Sequence, residues 1–143
     1  EPTTALDVVV EREILKRVLQ LQKEMGFAIL FITHDLSLLL EFATRLGVLY
    51  AGRLVAIGPT EIFRKGGIHP YTQGLLQAVP QLHGKREEFK SIPGSPPSLK
   101  NPPSGCRFHP RCSLAEEQCR TQQPELKQVK LGHQVACHVR TRD

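Results

Sequence analysis

From Asp7 to Glu24 the apolar residues Ile14, Leu15, Val18, Leu19 and Leu21 recur mostly at three- and four-residue steps, with Glu11, Lys16, Arg17, Gln20 and Lys23 between them. That spacing predicts an amphipathic helix, stopped by Gly26. Phe27 to Ile32 is a continuous apolar run between Gly26 and polar Thr33-His34-Asp35, which predicts a strand buried on both faces with His34 at its carboxyl end. A helix from Leu36 to about Thr44 follows. Then come a strand Leu46 to Tyr50, a turn at Ala51-Gly52-Arg53 and a strand Leu54 to Gly58. The succession of strand, helix, strand and hairpin predicts an α/β sheet.

Pro59-Thr60-Glu61 predicts a helix start running to Lys65, and His69-Pro70-Tyr71 opens a second helix that ends near Pro80. Periodicity then fades. Ser91 to Gly105 holds five Pro and two Gly, a composition that predicts an extended or turning connector. A short helix, Ser113 to Arg120, and two strands, Gln128 to Leu131 and Gln134 to His138, are expected beyond it.

Composition sharpens this division. Residues 1–80 hold 8 Lys+Arg and 8 Asp+Glu, whereas residues 81–143 hold 11 and 6, so the net charge of +5 lies in the last 63 residues. All four cysteines fall there too, as do seven of the eleven Pro. Two segments of different chemistry are expected, 1–80 and 81–143. With 143 residues, 40% hydrophobic and 23% charged, the chain has globular composition. Its apolar runs fall far short of the roughly 20 residues that span a bilayer. The first residues show no basic region followed by an apolar stretch, so no secretory signal is expected. Met25 is the only Met, and a piece of a longer chain is expected.

Glu1-Pro-Thr-Thr-Ala-Leu-Asp7 and Ile32-Thr33-His34-Asp35 place a His 27 residues after Asp7, and Leu46 to Gly58 follows as a hairpin. Singly, Glu1 reads as a solvated terminal residue, Asp7 as a helix N-cap and His34 as a capping or core histidine. In this order and spacing they resemble the nucleotide-binding subunits of ABC transporters. The resemblance implies that residues 1–80 are the carboxyl-terminal part of a P-loop NTPase sheet with its helices. It implies further that Glu1 is the general base on the attacking water, that His34 contacts the γ-phosphate of ATP, and that Asp7 belongs to the loop at the dimer interface. Phosphoryl transfer needs such an acceptor and such a donor. The Asp that helps hold Mg²⁺ in the family would fall before residue 1. There is no G-x-x-x-x-G-K-[ST] phosphate loop, Ser-Gly-Gly signature or glutamine loop. These residues alone are therefore expected to hydrolyse no ATP. Apolar strands without sheet neighbours are also expected to drive self-association.

Cys106-x5-Cys112-x6-Cys119-x17-Cys137 argues for a metal before disulfides in a chain with no sign of secretion, although the spacing is not that of a common zinc finger. Arg107, Arg111, Arg120, Lys127 and Lys130 are expected to lower the thiol pKa values and offset thiolate charge. His109, His133 and His138 could replace or support a ligand. A basic tail with a metal site also fits a nucleic-acid-binding or regulatory interaction module. Phe89 and Phe108 are, however, the only aromatics of that tail, and they offer no stacking platform, so no nucleic-acid partner is expected.

His69-Pro-Tyr71-Thr-Gln-Gly-Leu-Leu76, Ile92-Pro-Gly-Ser-Pro-Pro-Ser-Leu99 and Pro103-Ser-Gly-Cys106-Arg-Phe-His-Pro-Arg-Cys112 resemble the carboxyl-terminal extension of the oligopeptide, dipeptide and nickel branch of ABC importers. That resemblance implies a [4Fe–4S] cluster on Cys106, Cys112, Cys119 and Cys137, with structural Zn²⁺ or empty thiols as the alternatives. It implies a peripheral ATPase on the cytoplasmic face of the membrane. Its partners would be a second ATPase subunit, membrane permease subunits and, indirectly, a solute-binding protein.

Overall fold

The computed structural model describes residues 8–78 and 91–142. The chain forms two compact units, one reaching to Phe42 and one starting at Ala43. The junction expected near Pro80 lies outside the described residues.

In the first unit α1 runs from Val8 to Met25. Its exposed side carries the pairs expected at three- and four-residue spacing: Lys16 Nζ on Glu13 at 2.9 Å, and Gln20 on Glu24 at 3.0 Å. Gly26 ends it at φ +72°, its N–H on the Gln22 carbonyl at 2.8 Å, a left-handed stop that glycine adopts without steric cost. The short helix α2, Leu36–Phe42, starts at Asp35, whose Oδ1 accepts the Leu38 N–H at 3.1 Å. Asp35, and not His34, is therefore the cap. Arg12 of α1 pairs with Glu41 of α2 at 3.2 Å.

Between these helices the structure departs from the sequence-based expectation. Phe27 to Ile32 is not a strand. Leu30 is 89% and Ile32 72% exposed. The run has the composition of a doubly buried strand, but a strand exists only where a neighbouring strand takes its backbone hydrogen bonds in a ladder; among the described residues no strand pairs with it, and the Phe27 carbonyl instead accepts from the Gln22 side chain at 2.9 Å.

The second unit is built on a four-stranded antiparallel sheet in the order β1-β2-β4-β3. In β1, Arg45–Tyr50, burial alternates so that Leu46, Val48 and Tyr50 face the core. Ala51 and Gly52, at φ +46° and +76°, form a two-residue turn into β2, Arg53–Pro59. Such doubly positive φ values match the twist of a tight hairpin. The register sets Leu46 opposite Gly58 and Val48 opposite Ala56. β4, His133–Val135, pairs with β2 through Ala56 and Val135, and β3, Lys127–Lys130, closes the other edge. The hairpin and the cysteine-bearing segment thus share one sheet. The last strand is shorter than expected because the chain, after the Ala136 N–H bonds the Val55 carbonyl at 2.9 Å, turns away with Cys137.

Helices cover the sheet. α3, Thr60–Arg64, is fastened by the Thr60 hydroxyl on the Ala43 carbonyl at 2.6 Å, and its Phe63 is 1% exposed. Phe63→Ala is expected to cost this unit about 3–5 kcal/mol, read as the shift of its urea unfolding midpoint. α4, Pro70–Gln77, has Pro at its first position and His69 as its cap. Beyond the connector, the helix expected over Ser113 to Arg120 is confined to α5, Glu117–Thr121, since residues 113–116 take non-helical backbone. The fold is α/β around a small antiparallel sheet. None of the described helices is long and apolar enough to cross a membrane.

Candidate metal centre

Three local structures bring the four cysteines together. A turn of 3₁₀ helix, His109–Arg111, separates Cys106 from Cys112. The His109 N–H bonds the Cys106 carbonyl at 2.9 Å, and the Cys112 N–H bonds the His109 carbonyl at 3.2 Å. α5 supplies Cys119, and the Cys106 N–H donates to the Cys119 carbonyl at 2.8 Å. This approach depends on Gly105: at φ +63°, a Cβ there would lie 2.5 Å from the Cys119 oxygen. Cys137 follows β4, its carbonyl accepting from the Thr141 hydroxyl.

All four cysteines are free thiols, and all four line one cavity with His69, Phe108, His109, Leu114, His138 and Val139. No carboxylate lines it. Among the described residues no three His, Cys, Asp or Glu side chains converge on a single metal ion. The thiols surround a space.

Electrostatics here differ from the expectation. Burial pushes the Cys106 thiol above its ordinary pKa, with the other three thiols adding to the rise against a backbone hydrogen bond at Phe108. Cys112 is raised too, mainly by burial and against a backbone hydrogen bond at Leu114, with Arg140 a smaller opposing influence. The cations nearest in sequence do not act on these thiols because they point elsewhere. Arg107 donates to the Ala51 carbonyl, and Arg111 to Pro93, Ile92 and Tyr50. A metal taken up here displaces thiol protons, so uptake strengthens as pH rises.

The histidines divide. His109 Nδ1 donates to the Cys106 carbonyl at 2.9 Å and His138 Nε2 to the Gln122 carbonyl at 2.9 Å, so both brace the thiol shell. His133 does not line the cavity: it is buried against Phe63, with ring centroids 5.9 Å apart, and against Gly58. His69, which sequence reasoning placed only at a helix start, lies on the cavity wall and is 1% exposed. Its Nδ1 accepts the Tyr71 N–H at 3.1 Å. Burial holds its pKa down at about 4, against a hydrogen bond with the Ala136 backbone. The imidazole is therefore neutral with its proton on Nε2, and ties α4 to the residue before Cys137. A His-Pro pair at a helix start signals a cap; its position beside the cysteines comes from the sheet.

Of the residues suggested for ATP chemistry, only His34 lies among the described residues. His34 is exposed in the bend before α2. Glu1 and Asp7 lie outside the described residues.

Comparison with known proteins matches residues 55–119 to the family described as "Oligopeptide/dipeptide transporter, C-terminal region". The matched segment runs from β2 through α4, the connector and the first three cysteines. The chain is similar to the carboxyl-terminal part of oligopeptide/dipeptide transporter ATP-binding proteins. It is 41% identical over 139 residues to the dipeptide transport ATP-binding protein DppD of Caldanaerobacter subterraneus subsp. tengcongensis, covering 97% of this chain and 43% of that relative. It is also 41% identical over 138 residues to the dipeptide transport ATP-binding protein DppD of Escherichia coli K12, covering 96% of this chain and 42% of the relative. The chain therefore spans under half the length of these transporter relatives.

Proposed function

We propose that this chain is the carboxyl-terminal part of an ATPase subunit that drives an importer of peptides or related small solutes. The observation that carries the reading is the continuous match to dipeptide transport ATP-binding proteins over 97% of the chain. In the whole protein ATP and Mg²⁺ would be bound largely by upstream residues. Residues 1–80 would complete the nucleotide-binding sheet and residues 81–143 form the cysteine-bearing extension. Glu1 would orient the attacking water, His34 would contact the γ-phosphate, and Asp7 would meet the second ATPase subunit. The assembly would sit at the cytoplasmic face of the membrane against permease subunits, fed by a solute-binding protein. These 143 residues lack the phosphate loop, so magnesium-dependent phosphate release by the chain alone is expected to equal the blank; release above blank contradicts this. The exposed apolar run at 27–32 favours self-association, and a monodisperse monomer in concentrated solution by light scattering would remove that part of the reading.

The four-cysteine cavity is read as the seat of a [4Fe–4S] cluster. The donor set fits: four thiols, an apolar wall of Phe108, Leu114 and Val139, and no carboxylate. The cluster would supply covalent closure of a loop-rich unit with a small core. The test is anaerobic purification with a visible spectrum and iron, sulfide and zinc quantitation. About four iron and four sulfide per chain are expected, falling to background when Cys119→Ser and Cys137→Ser are combined. One zinc without iron overturns the cluster and leaves the transporter reading intact.

A further inference from the structure

We infer that Arg111 is the positioning residue of the four-cysteine centre: its guanidinium orders the loop from Cys106 to Cys112 by tying it to the connector and the hairpin. The inference rests on the metal reading above and extends it to a residue that touches no thiol in that role.

Arg111 closes the 3₁₀ turn immediately before Cys112. Three of its nitrogens donate to three different acceptors. Nε reaches the Pro93 carbonyl at 2.7 Å, Nη2 the Ile92 carbonyl at 3.2 Å and Nη1 the Tyr50 hydroxyl at 3.3 Å. Its Cζ stands 6.0 Å from the centre of the Tyr50 ring, at the outer limit of a cation–π contact. The connector lies along this side chain, with Gly94 turning beside the Arg111 stem at φ +70°, a left-handed value glycine takes without strain. The same loop packs Phe108 against both Tyr50 and Tyr71, with ring centroids 5.1 and 5.3 Å away. Arg107 donates to the Ala51 carbonyl at the hairpin tip.

The seven residues that carry two of the four thiols close a single 3₁₀ turn of their own and are held to the hairpin and connector through Arg107, Phe108 and Arg111. A planar guanidinium can serve three acceptors fixed in different directions; a lysine ammonium on a flexible stem cannot hold them together. If Arg111 acted only by its charge near thiolates, lysine would replace it. If it acts by geometry, lysine fails. Groups that orient metal ligands typically change metal affinity by about 10–100-fold when removed.

The experiment uses the full chain reconstituted with ferrous iron and sulfide without oxygen, and follows the decay of visible absorbance on adding an iron chelator. Arg111→Ala is expected to lose iron about tenfold faster than the wild type, and Arg111→Lys to behave like Arg111→Ala. Arg120→Ala removes an exposed cation near Cys119 that is paired only loosely with Glu117 at 3.7 Å, and is expected to match the wild type. Wild-type retention in Arg111→Lys, or equal loss in Arg120→Ala, overturns the inference in favour of charge alone. Hydrogen exchange on the metal-free reduced chain supplies the second readout. The amides of His109, Arg111 and Cys112 are expected to exchange at least about tenfold faster in both Arg111 variants. Unchanged exchange overturns the positioning role. A wild-type chain that binds no iron overturns the metal reading instead, and the exchange comparison still decides whether Arg111 orders the loop.

Discussion

Gly105→Ala is expected to destabilise the second unit by about 2–5 kcal/mol, one of the largest effects of any single methyl group among the described residues, and to abolish retention of the proposed metal cluster. Two costs combine. Alanine at φ +63° meets the left-handed penalty of about 1–2 kcal/mol. Its Cβ would also stand 2.5 Å from the Cys119 carbonyl oxygen and 2.7 Å from the Arg120 carbonyl carbon. Those atoms are backbone, so no rotamer change relieves the contact, and overpacking of this kind costs about 1–3 kcal/mol. The displaced strand of contacts includes the Cys106 N–H on Cys119, which sets two thiols at their separation. Gly132→Ala is the control. Its φ of +71° is similar, but its nearest neighbour would be a side-chain atom at 3.7 Å, so only the conformational cost is expected. Urea unfolding of both variants, with iron content measured in parallel, checks the difference. Equal losses for the two would mean that the close approach at Cys119 does not matter.

The second large effect is acid destabilisation through His69. At neutral pH the imidazole is uncharged in both the folded and the unfolded chain. Below its ordinary value of 6.5 the unfolded chain takes up a proton, while the buried ring does not until about pH 4. The unfolded state therefore binds more protons across that window, and stability falls as pH drops through it. The full loss is about 3 kcal/mol. His133, whose pKa is also lowered chiefly by burial, acts in the same direction. The measurement is unfolding free energy of the metal-free reduced chain from pH 7 to pH 4. His69→Gln is expected to be less stable at pH 7 and to show a shallower slope, because one proton-binding group has gone from the unfolded state. A His69→Gln slope identical to the wild type would show that the buried imidazole is not what acid attacks.

The His69 effect arises at a junction where α4, the hairpin and the cysteine loop meet around Tyr50, Tyr71, Phe108 and His69. The Tyr50 and Tyr71 rings are 4.6 Å apart, and Phe108 packs against both. Aromatic contacts of this geometry add about 0.5–1.5 kcal/mol each beyond burial. They bind the thiol cavity to the hairpin of the sheet. A change at the cysteines therefore reaches the hairpin through packed side chains.

What could be read from the chain alone was whatever depends on neighbours in sequence. The alternation of Leu46, Val48 and Tyr50 marked β1, Ala51-Gly52 marked the hairpin turn and His69-Pro70 marked the start of α4, because periodicity, left-handed turns and missing N–H groups are local properties. The four cysteines could be singled out by residue type and spacing. Whether they face one another could not, since that follows from Gly105 lying on the backbone of 119–120 and from β4 delivering Cys137. Phe27 to Ile32 shows the opposite failure. Its composition is that of a buried strand, yet it has no ladder among the described residues, because strand formation needs a partner that composition cannot supply. The insertion of β4 beside β2, the neutral buried state of His69 and the diversion of Arg107 and Arg111 away from the thiols were likewise decided by tertiary structure. Each turns on which distant surfaces meet, and burial and hydrogen bonding act only once they have met.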